Sequence, residues 1–235
     1  MKPIIKWVGG KTQLLDDILA LFPREINNYY EPFLGGGSIL FGLLEKIDRN
    51  EIVVSGRINV SDKNSVLIHM FINIQNSHLE LMEYLNNFLN KYTHCEHDNG
   101  TRYPINEDDA MLSRESYYYW LRKEYNEMSL DEKHSTYGSA LFIFINKTCF
   151  RGLYRIGPNG LNVPFGNYHK FKNIISIQDL EEMHRKIQNV VFRVSDFETA
   201  IDIIIPNDFV YFDPPYVPIN KKSFVSYHSG GFTDE

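Results

Sequence analysis

Tyr29-Tyr30-Glu31-Pro32-Phe33-Leu34-Gly35-Gly36-Gly37-Ser38-Ile39-Leu40-Phe41-Gly42-Leu43-Leu44 reads as a strand, a glycine turn and a helix in succession. Three glycines let the backbone turn sharply and approach a ligand closely, and the helix that follows presents unpaired N–H groups at its N-terminus. Beyond it, Arg57-Ile58-Asn59-Val60-Ser61 alternates as a short strand and closes on Asp62, 27 residues after Gly35. An acidic residue at that strand end is placed to accept both hydroxyls of a ribose. The first half of the chain is therefore expected to form a nucleoside-binding βαβ unit. Its glycine spacing is not GxGxxG, and glycine-rich strand exits are common, so specificity has to come from further along the chain.

A related pattern stands near the other end. Asp208-Phe209-Val210-Tyr211-Phe212 reads as a buried strand that stops abruptly at Asp213-Pro214-Pro215-Tyr216. Consecutive prolines lack backbone donors and fix φ, which leaves the carbonyls of Asp213 and Pro214 free to accept protons from a ligand. A carboxylate, free carbonyls and an aromatic ring within one tetrapeptide suit a planar exocyclic amine, whose N–H groups donate to the acceptors while its ring stacks on Tyr216. Withdrawing those protons raises the nitrogen's nucleophilicity, which points to modification of a nucleobase amine. A strand that merely ends in a Pro-Pro turn would look the same in isolation. A further strand, Val190-Val191-Phe192-Arg193-Val194, ends on Ser195-Asp196-Phe197. Strands thus terminate in polar clusters at Gly35, Asp62, Asp196 and Asp213, and open α/β sheets bind ligands outside those carboxyl ends.

At 235 residues the chain has room for one catalytic core with a subdomain. Its hydrophobic content of 43% is that of a soluble globular protein, and no apolar run approaches the ~18 residues of a membrane span. The N-terminal segment has neither the apolar stretch nor the cleavage site of a signal peptide, so a cytoplasmic protein, neither secreted nor membrane-bound, is expected. Cys95 and Cys149 belong to no Cys-x-x-Cys pair, which argues against a disulfide framework and against structural zinc.

The formal net charge of −6 argues against nucleic acid until it is mapped along the chain. Residues 133–178 hold no Asp or Glu but carry Lys133, Lys147, Arg151, Arg155, Lys170 and Lys172, while the remainder sets 18 basic against 30 acidic residues. One basic face on an acidic body is what a local phosphate-binding surface requires.

Asn64 can cap a long helix whose apolar residues, from Val66 to Leu89, recur at helical spacing and belong to the core. Residues 92–106 read as a loop, with His94, Cys95, His97 and Asp98 solvated rather than metal-binding. Helices are expected over 114–128, 137–147 and about 177–188. Between the last two, residues 148–168 interleave glycines and prolines with Phe150, Arg151, Tyr154, Arg155, Phe165 and Tyr168. Such an irregular surface can enter a groove and stack on exposed bases.

Lys6-Trp7-Val8-Gly9-Gly10-Lys11, Glu31 to Ser38, Asp62, residues 146–155, Asn162-Val163-Pro164-Phe165-Gly166 and Asp213-Pro214-Pro215-Tyr216 follow one another in a familiar order, with Phe224-Val225-Ser226-Tyr227 and Gly231-Phe232-Thr233 beyond them. In these pieces, and over nearly all its length, the chain resembles the Dam-type, alpha-group DNA adenine-N6 methyltransferases. The resemblance implies an α/β fold: a Rossmann-like S-adenosylmethionine-dependent methyltransferase sheet from residues 1–90 and 189–235, with a helical and loop-bearing DNA-recognition insertion over 91–188. It implies S-adenosylmethionine as methyl donor and no metal, with Trp7, Lys11, Phe33, Gly35, Gly37, Asp62, Asp196, Phe197 and Asp213 around the cofactor. Double-stranded DNA is the implied partner, read by Phe150, Arg151, Leu153, Arg155, Pro164 and Tyr168, with Arg155 at the position from which family members contact a guanine.

The reaction so implied is methyl transfer to adenine N6 in a short specific site. The target base leaves the stack, Phe150 or a neighbour fills the space, and Asp213 with the Pro214 carbonyl holds the N6 protons. Tyr216 stacks on the flipped ring, and the nitrogen attacks the methyl carbon in line without a covalent enzyme intermediate. A cognate restriction endonuclease acting on the same site would be a further partner, and the oligomeric state is open.

Two departures qualify the resemblance. Arg151 stands where GATC-reading enzymes tend to carry asparagine and Asn167 where arginine is frequent, so GATC, CATG and other adenine-containing sites stay open. Family members generally continue beyond the match to Phe232-Thr233, so C-terminal strands of the sheet are expected to be missing, through a truncation or through residues that follow Glu235. The alternatives are a truncated, catalytically silent DNA- or cofactor-binding remnant, and methylation of RNA or of a glutamine amide. The acid-free segment and the Arg151/Arg155 loop favour nucleic acid over the amide.

Overall fold

The structure, a computed structural model, describes residues 2–97, 99–167, 176–201 and 203–215. In chain order its elements are α1 (Leu15–Leu19), β1 (Glu25–Ile26), β2 (Tyr29–Glu31), α2 (Ser38–Asp48), β3 (Val53–Val54), β4 (Ile58–Asp62), α3 (Ser65–His94), α4 (Glu107–Met111), α5 (Arg114–Glu127), α6 (Leu130–His134) and α7 (Thr136–Thr148). A 3-10 turn, Phe150–Gly152, then leads to β5 (Ile156–Gly157), β6 (Gly160–Leu161), α8 (Ile177–Lys186), β7 (Val190–Val194), α9 (Phe197–Ile201) and β8 (Phe209–Val210).

Four strands form one parallel sheet in the order β7-β4-β2-β8. Tyr30 lies opposite Asn59 on one side and Val210 on the other, and Asp62 lies opposite Val194. Because the strands are parallel, all their carboxyl ends meet along one edge, where the polar residues after each apolar run were expected to gather. Polar groups fix the register where β8 enters: Asp208 Oδ1 accepts from Asn27 Nδ2 (2.8 Å), Asn28 N (3.1 Å) and Asn28 Nδ2 (2.8 Å). The apolar run 208–212 is less buried than its composition suggests. Its strand is two residues long with half-buried side chains, and Phe212 is 42% exposed, because β2 is the strand that pairs with it among the described residues.

Gly37, at φ +75°, turns the chain into α2, whose residues 38–44 are all buried. Asn64 caps α3 as expected, its Oδ1 accepting from Leu67 N at 3.2 Å; such a cap contributes about 1 kcal/mol. α3 packs on α7 and α8, kinks at Ser77 (φ −140°, ψ 35°) and runs to His94, so Tyr92 and His94 are helical rather than part of a loop. Tyr92 is fully buried with its ring edge-on to Phe144, and Cys95 is buried with Sγ against Lys91 O. The start of the expected solvated loop is thus core, while His97 is exposed and Asp98 lies outside the described residues. Residues 138–146 of α7 are buried without a break, since α3, α5 and α6 surround them. Truncating a side chain such as Phe71 in this core would cost about 3–5 kcal/mol.

Candidate active site

The carboxyl ends of β2, β4, β7 and β8 open into one cavity of ≈ 330 Å³, closed on one side by residues 7–11 and floored by the glycine turn. β2 brings Glu31, β4 Asp62, β7 Ser195 and Asp196, and β8 Asp213. Asp62 braces the turn: its Oδ2 accepts from Gly35 N at 3.0 Å and its Oδ1 from Asn64 N at 2.9 Å, tying turn and α3 together. Gly35, at φ +51°, lies under Trp7, and a Cβ added there would stand 2.9 Å from Trp7 Cδ1. The same indole packs on Tyr154, with ring centroids 4.9 Å apart.

Lys11 carries positive charge into the cavity. Its Nζ donates to the Asp213 carboxylate and, at 2.9 Å, to Gly9 O, while its backbone N donates to Ser38 Oγ at 3.2 Å. The two paired side chains are 15% and 20% exposed, so solvent screens this ion pair only in part. Glu31 is 2% exposed, and Tyr29 OH donates to its Oε2 at 2.8 Å. Burial pushes the Glu31 carboxyl up to about 8; the Tyr29 hydroxyl pulls against that rise, and the charges of Asp213 and Asp62 add to it. Lys63 donates to Asp196 at 2.9 Å and holds that carboxyl below the usual range. Phe33 and Phe197 stack at 5.5 Å and form an aromatic wall of the cavity, with Phe212 packed edge-on against both.

Carboxylates thus outnumber the lysines, and both Lys11 and Lys63 are engaged by them. A cavity with this many acceptors and an aromatic wall suits a cationic ligand that carries hydroxyls and a planar ring, and its size is that of a small-molecule site. The residues predicted from sequence around it, Trp7, Lys11, Phe33, Gly35, Asp62, Asp196, Phe197, Asp213 and Pro214, all line it. Gly37 points elsewhere: a Cβ there would meet Phe41 at 3.1 Å and Phe71 at 3.4 Å, so it serves the packing of α2. Tyr216 lies outside the described residues. Glu31 and Lys63 line the cavity without having been singled out as site residues. An ionisable residue closing an apolar strand was the available signal for the first.

The segment expected to read DNA is more ordered than its composition suggested. β5 and β6 form a small antiparallel hairpin, and Phe150 N donates to Pro164 O (2.8 Å) as Gly166 N does to Thr148 O (2.8 Å). Tyr118 OH and Arg122 Nη1 both donate to Val163 O, at 2.8 and 2.7 Å, anchoring this unit on α5. In the 3-10 turn that precedes the hairpin, Phe150 is 43% exposed, with the Arg151 guanidinium 5.2 Å from its ring. Arg155 Nε donates to Asn162 Oδ1 (2.5 Å) and its Nη2 to Asn162 O (3.0 Å), so one edge of the fork is held across the hairpin. Leu153 packs on the core, and Tyr168 lies outside the described residues. Cys149 is buried, which pushes its thiol up to about 12 and leaves no thiolate nucleophile there.

Among the described residues, no group of His, Cys, Asp or Glu is arranged to hold a metal ion, and no helix is long and apolar enough to cross a membrane. Residues 7–235 match the family described as D12 class N6 adenine-specific DNA methyltransferase. The type II methyltransferase M.MjaIII of Methanocaldococcus jannaschii is 34% identical, over 100% of this chain and 76% of the relative. The DNA adenine methylase of Haemophilus influenzae is 29% identical over 97% of this chain and 68% of its own length, and that of Escherichia coli 27% identical over 100% and 72%.

Proposed function

Because the chain belongs to the D12 class N6 adenine-specific DNA methyltransferase family and so methylates adenine in DNA, we propose that the cavity at the carboxyl edge of its sheet is where it does so. The donor of that family, S-adenosylmethionine, supplies when bound a methyl carbon made electrophilic by its sulfonium. The residues present fit it. The Phe33 and Phe197 rings line the cavity and suit a purine, the Asp62 carboxylate reaches it as an acceptor for ribose hydroxyls, and the acidic lining suits the positive charge.

Asp213 and the Pro214 carbonyl accept the two N6 protons of the target adenine and turn its lone pair toward the donor. Lys11 donates to the Asp213 carboxylate and holds it in place, so that acceptor geometry is set before the base arrives. An adenine inside a duplex cannot reach these groups, so the base is extruded, and the exposed Phe150 occupies the space it leaves. Arg155, steadied by Asn162, presents the rest of its fork to a guanine edge. In this reading residues 91–188 form the recognition insertion over a short specific site, no metal takes part, and a restriction endonuclease of matching specificity is the partner that the type II names of relatives suggest.

The observation that carries the proposal is the Lys11–Asp213 pair at the end of β8, inside the cavity that Asp62 and the glycine turn also line. Transfer of tritiated methyl from the donor into duplex DNA tests it. The wild-type chain is expected to label duplex DNA and not RNA, and Asp213→Ala to lose at least ~100-fold in rate while still binding DNA. Equal labelling by the variant, or labelling of RNA alone, would refute it.

A further inference from the structure

Glu31 ends the central strand β2, flanked by β4 with Asp62 and by β8 with Asp213, so three carboxylates share neighbouring strand ends. They are not equivalent. Asp62 accepts two backbone N–H groups, and Asp213 is ion-paired with Lys11. Glu31 has the Tyr29 hydroxyl and, from α2, the Leu40 backbone N–H. Among the described residues that line the cavity with it, Lys11 is engaged by Asp213 and Lys63 by Asp196, while Tyr211 lines the same cavity and Arg193 lines a smaller one behind it. A carboxylate this buried, beside two others, is costly to ionise until positive charge enters.

We propose that Glu31 holds a proton in the ligand-free cavity and releases it to solvent when the cationic methyl donor enters, so that donor binding is coupled to loss of a proton. The inference rests on the cofactor cavity argued above. The Glu31 O–H bond breaks, its electron pair stays on the carboxylate, and the proton passes to buffer. Because methyl transfer leaves a neutral sulfur, Glu31 takes a proton back once the positive charge has gone. The product S-adenosylhomocysteine therefore binds without the proton release that accompanies the donor, and the cavity distinguishes spent from charged cofactor by charge as well as by shape. Burial and the raised protonation range of Glu31 agree with this assignment.

Calorimetric titration of the full chain at pH 7.0, in phosphate, HEPES and Tris, measures protons exchanged per ligand bound, because those buffers differ in ionisation enthalpy. Between about 0.5 and 1 proton is expected to leave per S-adenosylmethionine, and less than about half of that per S-adenosylhomocysteine. In Glu31→Gln the difference between the two ligands should vanish. Should that variant fail to fold, the wild-type pH series decides: between pH 6 and 7.5 donor affinity should rise by up to ~10-fold per pH unit, while product affinity stays nearly flat. Equal proton release for both ligands, or a release unchanged in Glu31→Gln, overturns the inference. Binding heat without proton release sinks this inference alone, whereas absence of binding by either ligand also sinks the cofactor cavity.

Discussion

Lys6 and Asn146, 140 residues apart in sequence, exchange two hydrogen bonds: Lys6 N donates to Asn146 Oδ1 at 2.9 Å, and Asn146 Nδ2 donates to Lys6 O at 2.9 Å. Nδ2 also donates to Gly152 O at 3.1 Å. One buried amide thus joins the strand of chain entering Trp7 and Lys11 to the turn that carries Phe150 and Arg151. Gly152, at φ +65°, lets that turn lie on Lys6, where a Cβ would come within 2.6 Å of Lys6 Cβ.

Asn146→Ala removes all three bonds, including the one that satisfies the buried Gly152 carbonyl. It should destabilise the protein by about 2–4 kcal/mol and weaken both donor affinity and sequence discrimination. Thermal unfolding with parallel donor and DNA titrations checks this; a loss confined to one ligand would count against the coupling.

Gly35→Ala places a methyl group against the Trp7 ring at a backbone conformation that favours glycine. Donor affinity should fall by about 5- to 30-fold, from a strain of ~1–2 kcal/mol, with far smaller loss in DNA affinity. Fluorescence titration of both ligands would show it.

Arg155→Ala should relax preference at one base pair by about 1–3 kcal/mol while general DNA affinity changes less. Asn162→Ala, which frees the guanidinium edge now held at 2.5 and 3.0 Å, should relax the same position more weakly. Methylation of substrates varied one base pair at a time reads both; variants that change affinity uniformly over all substrates would argue for a phosphate contact instead.

The ligand-free protein should lose stability as pH rises from about 4.5 to 8. In that window Glu31, raised to about 8 by burial, stays protonated in the folded chain while its unfolded counterpart ionises. The folded state then binds more protons, and stability declines with pH by a few kcal/mol. Other groups titrate as well, so the readout is the wild-type curve minus that of Glu31→Gln. A flat difference would place Glu31 among ordinary carboxylates.

Much of this architecture was legible because each parallel strand is an apolar run that closes on a polar residue, so Asp62, Asp196 and Asp213 mark the sheet's working edge. Strand order was not legible. It depends on distant pairs such as Asp208 with Asn27 and Asn28, which no local pattern reveals. The state of Glu31 was hidden for a similar reason: Tyr29 precedes it by two residues and shares its sheet face, but that both lie on a strand paired on each side, with β4 and with β8, is a tertiary fact. Short helices escape periodicity, although Ser129 with Glu132 spells the capping box that starts α6. The β5–β6 hairpin was signalled by Pro158-Asn159-Gly160, with Gly160 at φ +91°. Its order comes from α5, through Tyr118 and Arg122, and so depends on tertiary contact.

The most direct test of the account is base-resolved detection of N6-methyladenine in DNA exposed to the full chain and to Asp213→Ala, side by side. N6-methyladenine confined to one short motif in the wild-type sample, and none with the variant, is the expected result. Wild-type DNA without N6-methyladenine, or the same motif methylated by both proteins, would contradict the claim that Asp213 holds the target amine in this cavity.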